Sequence, residues 1–282
     1  MSEVAPLETL YEVDGGNGLP LPPELASLYG RLSFPSHSTR PHVVGNFVAS
    51  IDGVVSLNEP GQAGGGEISG FDPHDRMLMG LLRAVSDAVV VGAGTLRAVP
   101  NHLWTPEFAF PPLAGVYRQL RGALGKPEPP RTVIVTARGE VDLSLRVFRS
   151  GETPVLVVTT TEGEQRIRSE GRVPLSVQID PVGSAAPIRA RAVLDAVCAV
   201  SHCDLILLEG GPHLMGDFLA EGGLDELFLT LAPQVAGRSD FDARPGLVAG
   251  RVFAPQHPLW GTLVGLKRGG SHLFLRYSFG AR

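Results

Sequence analysis

The chain has 282 residues, 43% of them hydrophobic and 19% charged, which is enough to bury a core as one domain or at most two. A formal net charge of -5 argues against a nucleic-acid-binding face, and no window approaches the roughly 18 to 20 uncharged apolar residues of a membrane span. The N-terminal residues carry neither a basic start nor an apolar run, so a cytoplasmic address and a small-molecule partner are expected.

Residues 1–40 hold Gly15, Gly16, Pro20, Pro22, Pro23 and Pro35 and read as an irregular N-terminal arm with one short helix near 25–31. The domain proper is expected over 41–282. His42–Ser50 (HVVGNFVAS) is the first strong strand, closed by the turn pair Asp52-Gly53. The glycines of 61–66 read as flexible. Asp72 and Pro73 then supply an N-cap and a first helical position for a helix to about residue 84. On it Met77, Leu78, Leu81, Leu82 and Val85 share one side, with Arg76, Gly80 and Arg83 on the other. By default Arg83 would be a solvated helix residue, and Gly80 suggests close approach by a neighbour.

Residues 87–91 (DAVVV) read as a strand buried on both faces, ending in Gly92-Ala93-Gly94-Thr95. The prolines of 100–130 imply ordered loops around one helix near 113–124. Strands follow at 131–136, 154–159 and 175–179, with helices near 162–169 and 188–200. The strand 204–208 runs into Glu209-Gly210-Gly211-Pro212 and a helix, and another strand is read at 224–231. A hairpin is expected from 263–266 and 272–277 around Arg268-Gly269-Gly270. Alternating strands and helices with a final antiparallel pair predict a three-layer α/β fold with a mostly parallel central sheet.

Cys198 and Cys203, the only cysteines, are too few for a disulfide framework and poorly spaced for zinc, and are read as reduced structural thiols with no metal implied. The only lysines, Lys126 and Lys267, fall in a loop and in the C-terminal strand, which disfavours Schiff-base chemistry.

Two places join a buried strand to glycines and a helix start or turn: Gly92 to Thr95, and Glu209 to Pro212. Missing side chains let an anion reach backbone N–H groups, and a helix N-terminus adds partial positive charge. Each is also what a tight strand-to-helix turn looks like. Neither carries the full Gly-x-Gly-x-x-Gly fingerprint of a dinucleotide-binding turn, which disfavours an ordinary dehydrogenase. In the first strand Asn46, Val48 and Ser50 share a face by alternation, and Ser50 with Asp52 can equally satisfy the turn that follows.

Together these pieces resemble the pyrimidine reductases of riboflavin biosynthesis, which form the C-terminal half of a bifunctional deaminase-reductase and have a dihydrofolate-reductase-like fold. The resemblance rests on residues 49–53, Ile68-Ser69-Gly70, Leu82-Arg83-Ala84, 87–95, 131–136, 208–212, Asp225-Glu226-Leu227 and 232–237, in that order. It implies an NADPH-dependent oxidoreductase acting on a phosphoribosylamino pyrimidine such as 5-amino-6-(5-phosphoribosylamino)uracil, and a homodimer. By motif it assigns Val48, Ser50, Ser69, Gly92, Gly94, Thr95, Thr136, Gly210, Gly211, Pro212, His213 and Leu214 to the cofactor, within a stretch reaching Asp217. It assigns Arg83, Leu103 and Glu209 to the substrate, with Glu209 and Asn46 as the groups nearest the chemistry. Arg97 and Arg138 are candidates for a 2′-phosphate.

The chain departs from the family at two positions: Asn46 stands where the bifunctional enzymes usually have Lys, and Pro106 where a phosphate-contacting Arg is expected. No zinc deaminase pattern occurs. These departures resemble the stand-alone actinobacterial type. They leave open another heterocycle, such as a pterin or dihydrofolate, or a nucleotide-binding protein without catalysis.

Overall fold

The computed structural model describes residues 4–13, 18–35, 40–59, 61–126, 128–184, 186–239 and 244–280. In chain order the strands are β1 Glu8–Glu12, β2 His42–Ser50, β3 Ala88–Gly92, β4 Arg131–Thr136, β5 Val155–Thr159, β6 Val177–Pro181, β7 Leu205–Leu208, β8 Glu226–Ala232, β9 Thr262–Gly269 and β10 His272–Ser278. The helices are α1 Pro23–Tyr29, α2 Gly65–Ser69, α3 Pro73–Val85, α4 Ala93–Ala98, α5 Pro106–Ala109, α6 Ala114–Ala123, α7 Arg146–Arg149, α8 Thr161–Glu170, α9 Ala190–Val200 and α10 Pro212–Ala220.

The ten strands form one sheet in the order β1-β9-β10-β8-β2-β7-β3-β4-β5-β6. From β8 across to β6 every neighbouring pair is parallel, and the pairs β10-β8, β10-β9 and β1-β9 are antiparallel. Period-two alternation divides each central strand between two cores. Val89, Val91, Leu205, Leu207, Val155 and Val157 pack with α3 and α6. Ala88, Val90, Ile206, Leu208, Leu156 and Val158 pack with α9 and α10 on the opposite face. The expected three layers follow directly, because strands covered on both faces cannot alternate polar with apolar.

Three sequence expectations are corrected. The N-terminal arm is not irregular throughout: residues 8–12 pair with β9 as an edge strand, and all five are exposed, so no apolar alternation marks them in the sequence. The glycine-rich 61–66 stretch is partly helical, since Gly65 and Gly66 open α2, which closes on Gly70 in the left-handed region. Cys198 and Cys203 form a disulfide across the end of α9, with Cα atoms 5.2 Å apart, where the helix stops at an extended Ser201 before β7. Gly15, Gly16 and Pro127 lie outside the described residues.

The side of α3 read as polar is covered. A Cβ at Gly80 would lie 2.6 Å from the Tyr117 ring of α6, and Tyr117 donates to the Met77 carbonyl at 2.9 Å, so this is the close approach that the glycine foreshadowed. Asp72 caps the start of the helix, accepting from the N–H groups of His74 at 2.9 Å and Asp75 at 3.0 Å. Arg121 of α6 satisfies its far end, donating to the carbonyls of Ala84 at 2.9 Å and Ser86 at 2.8 Å. Helix α3 is thereby fixed at both ends, which matters because its inner face carries part of the site.

Candidate active site

Strand β7 is inserted between β2 and β3, so consecutive strands of the chain are separated in the sheet and a crevice opens above their carboxyl ends. There a cleft of about 1150 Å³ runs from Asn46 and Phe47 of β2 past the ends of β3, β4 and β7. Asn46, Val48, Ser69, Arg83, Gly92, Gly94, Thr95, Thr136, Glu209, Gly210, Gly211, Pro212, His213 and Leu214 all line it, as do Arg97 and Arg138.

Two predicted residues do not line it. Ser50 is fully buried: its hydroxyl donates to Asp52 Oδ1 at 2.7 Å and accepts from Val54 N–H at 2.9 Å. Asp52 also accepts from the N–H groups of Ala236 at 3.0 Å and Gly237 at 2.8 Å, and these bonds, led by that from Ser50, lower its pKa to about 2. Two motifs whose bonded residues are 184 and 185 positions apart are thus a turn lock beneath the site. Leu103 is 1% exposed and contributes its carbonyl, which accepts from Arg83 Nη1 at 3.2 Å.

The two glycine turns form one floor. Gly92 N–H donates to the Gly210 carbonyl at 2.7 Å, and a Cβ on Gly92 would lie 3.5 Å from Gly211 N. Gly210 has φ +105° and its peptide bond to Gly211 is cis, while a Cβ there would lie 3.3 Å from the Phe47 ring. Helix α10 starts at Pro212, which has no N–H, so its first turn presents the amides of His213 and Leu214 at the cleft. A Cβ at Gly94 would meet nothing within 4 Å. A backbone-lined floor, a helix N-terminus and open space at Gly94 fit a dinucleotide with its phosphates on the glycine turns. Arg97 and Arg138, both exposed at the rim, add positive charge.

At the other end stands a buried ion pair. Arg83 Nε donates to Glu209 Oε1 at 2.9 Å and Nη2 to Oε2 at 2.7 Å, with side chains 1% and 7% exposed. Nη1 donates to the carbonyls of Leu103 and Thr105, both at 3.2 Å. Nη2 also meets His102 Nε2 at 2.9 Å, and burial, followed by the charges of Arg83 and Arg76, lowers the His102 pKa to about 2, so this imidazole is a neutral acceptor. All five Arg83 N–H groups are therefore used within the protein. Glu209 is held as a fixed carboxylate in a cleft that the apolar Met79, Trp104 and Phe108 also line. The default reading of Arg83 as a solvated helix residue is corrected: β7 and the 102–105 segment surround it.

Sequence reasoning missed His102 and Trp104 at this end, and Asp75 two turns away along α3. Asp75 lines the cleft at 6% exposure. An acidic residue three positions after an N-cap reads as a partner of the helix dipole, which hides it. No sequence signal marked His102 or Trp104.

The model of the RibD C-terminal domain matches residues 41–248. A 2,5-diamino-6-ribosylamino-4(3H)-pyrimidinone 5′-phosphate reductase from Archaeoglobus fulgidus is 26% identical over 204 residues, 71% of this chain and 84% of that protein. The riboflavin biosynthesis protein RibD of Mycobacterium tuberculosis is 26% identical over 198 residues, 70% of this chain but 43% of that longer protein. Among solved structures, a pyrimidine reductase-like protein from Corynebacterium diphtheriae superposes with a TM-score of 0.67 at 24% identity, over 86% of this chain and 93% of that one. The expected dihydrofolate-reductase-like fold is the one found.

Proposed function

The chain belongs to the RibD C-terminal domain family, and from that premise we propose that it is an NADPH-dependent reductase of a phosphoribosylamino pyrimidine in riboflavin biosynthesis. The observation that carries the reading is the coincidence, in one cleft, of a glycine floor suited to a dinucleotide and a carboxylate held rigidly by Arg83. The nicotinamide cofactor, when bound, supplies the hydride. Gly92, Gly94, Thr95, Thr136 and residues 210–214 would hold it, and Arg97 and Arg138 are the groups that would favour a 2′-phosphate.

At the substrate end Glu209 accepts hydrogen bonds from the sugar hydroxyls in a geometry set before binding, since its own carboxylate cannot swing while Arg83 grips both oxygens. Trp104, Phe108 and Met79 keep bulk water from the reacting carbon. Asn46 offers an amide where a cation stands in the bifunctional enzymes and hydrogen-bonds the sugar or ring without adding charge. Residues 41–282 are the catalytic unit, and the assembly is a cytoplasmic homodimer.

The test is NADPH oxidation by purified protein with 5-amino-6-(5-phosphoribosylamino)uracil and its 2,5-diamino precursor. Turnover that Glu209→Gln lowers about 10²-fold in kcat/KM supports the reading. Saturable NADPH binding with neither pyrimidine reduced rejects it. In that event Asn46 and Pro106, two positions without the expected cations, favour a heterocycle lacking a phosphate, and dihydrofolate reduction is the assay that decides.

A further inference from the structure

Among the described residues Asp87, Asp225 and Glu226 are buried as Asp75 is, the Glu209 side chain is 7% exposed, and each of these four has a basic partner. Asp87 meets Lys126 at 2.8 Å, Asp225 meets Arg40 at 2.6 Å, Glu226 meets Arg276 at 2.6 Å and Glu209 meets Arg83 at 2.7 Å. Asp75 has no ion pair among the described residues, although at 6% exposure it is buried like Asp87, Asp225 and Glu226. The charges that act on it are Asp72, of like sign, and His272. The hydroxyls of Ser69 and Thr230 stand beside its carboxyl, yet Thr230 Oγ1, in a residue 1% exposed, makes no hydrogen bond of good geometry. Burial raises the Asp75 pKa to about 6. A buried carboxyl without a cation is costly, and one that opens only on a cleft points to a partner brought by a ligand.

Position on the helix says what that partner is. Asp75, Met79 and Arg83 follow one another at i, i+4 and i+8, and all three line the cleft, so Asp75 lies about 12 Å along α3 from the Arg83–Glu209 pair. If the sugar of the substrate is held at Glu209, the heterocycle reaches toward Asp75. The two pyrimidines of this chemistry differ at ring position 2. A 2-amino-4-pyrimidinone presents an exocyclic N–H and a ring N–H side by side, two donors spaced to meet the two oxygens of a carboxylate. A uracil presents a carbonyl oxygen there, which repels a carboxylate.

We infer that Asp75 is a substrate-specificity residue that selects the 2-amino pyrimidinone ring over the deaminated uracil, so that this enzyme reduces its substrate before the ring amino group is removed. The inference rests on the proposed function and names the ring that its site takes. A deaminating reaction must then act on the product of this enzyme.

The experiment measures kcat/KM for the 2,5-diamino-6-ribosylaminopyrimidinone phosphate and for the corresponding uracil, in the wild type and in Asp75→Asn. The expected result is a wild-type preference of about 10²-fold or more for the 2-amino ring. Asp75→Asn should bring the two within about threefold of each other, with the loss falling on the 2-amino substrate. Equal rates in the wild type, or a preference that survives the substitution, overturns the inference. If neither compound is reduced, the functional reading fails, and Asp75 is still tested by titrating free 2-amino-4-pyrimidinone and uracil onto both proteins with NADPH present. Tighter binding of the amino compound by the wild type alone supports the ring assignment, and equal binding removes it.

Discussion

Arg83 and Asp75 sit two turns apart on one helix and show opposite ways of keeping a charge inside a protein. Arg83 is fully paired, so it positions Glu209 and the 102–105 backbone and has no N–H left for a ligand. Asp75 has no ion pair among the described residues, and its pKa of about 6 against an ordinary 3.8 has a consequence for stability. Between those values the folded state holds a proton that the unfolded chain has released, so stability falls as pH rises from about 4 to about 6 and stays lower above that. Two pKa units correspond to about 3 kcal/mol. Asp75→Asn, in which nothing titrates, is therefore expected to melt at higher temperature than the wild type at pH 7.5. The gap should close below pH 4, as thermal denaturation across pH will show. A gain that persists unchanged at pH 3.5 would mean that the carboxyl's burial is not its source.

The site depends on elements whose ends are secured from elsewhere. Helix α3 is capped by its own Asp72 and finished by Arg121 from α6, while the floor of the cleft depends on glycine at one position in particular. Gly210, at φ +105°, occupies backbone conformations that side chains disfavour, and a Cβ would also press on Phe47. Gly210→Ala is expected to cost about 1 to 3 kcal/mol of stability and to weaken NADPH binding at least tenfold, measured by fluorescence titration of the folded variant. Unchanged affinity would place the cofactor away from the glycine floor. At the same scale, Ser50 is buried away from the cleft because it and the 232–237 segment together lock, through Asp52, the turn after β2, the strand that carries Asn46 and Val48 into the cleft.

For the whole molecule, the cleft lies where β2, β7, β3 and β4 end together, so a ligand filling it ties four strands and both helical layers to one another. Cofactor binding should then appear as global stabilisation. At a hundred times its dissociation constant NADPH is expected to add about 2.7 kcal/mol, and NADH at the same concentration distinctly less if the rim arginines read the 2′-phosphate. Thermal shifts with both cofactors, repeated on the Arg97→Ala and Arg138→Ala variants, measure this. Equal shifts for both cofactors in the wild type would reject the proposed preference. Among the described residues no helix is long and apolar enough to cross a membrane.

Periodicity and turn chemistry were sufficient for β2 to β10, for helices α3, α6 and α8 to α10, and for the two glycine turns, because those elements bury an apolar face whose spacing is written locally. Edge strand β1 escaped because backbone bonds to β9 hold it while its side chains stay in solvent. The Cys198–Cys203 bridge escaped because it depends on how the chain turns between α9 and β7. In the site, motif order placed Glu209, Arg83 and the glycines in one cleft's company. Tertiary structure alone decided that Arg83 is spent on Glu209, that Ser50 and Leu103 turn away, and that Asp75 lines the cleft with no ion pair among the described residues. Charge pairing and exposure are set by what the rest of the fold brings alongside a residue, and a linear sequence does not state its neighbours in space.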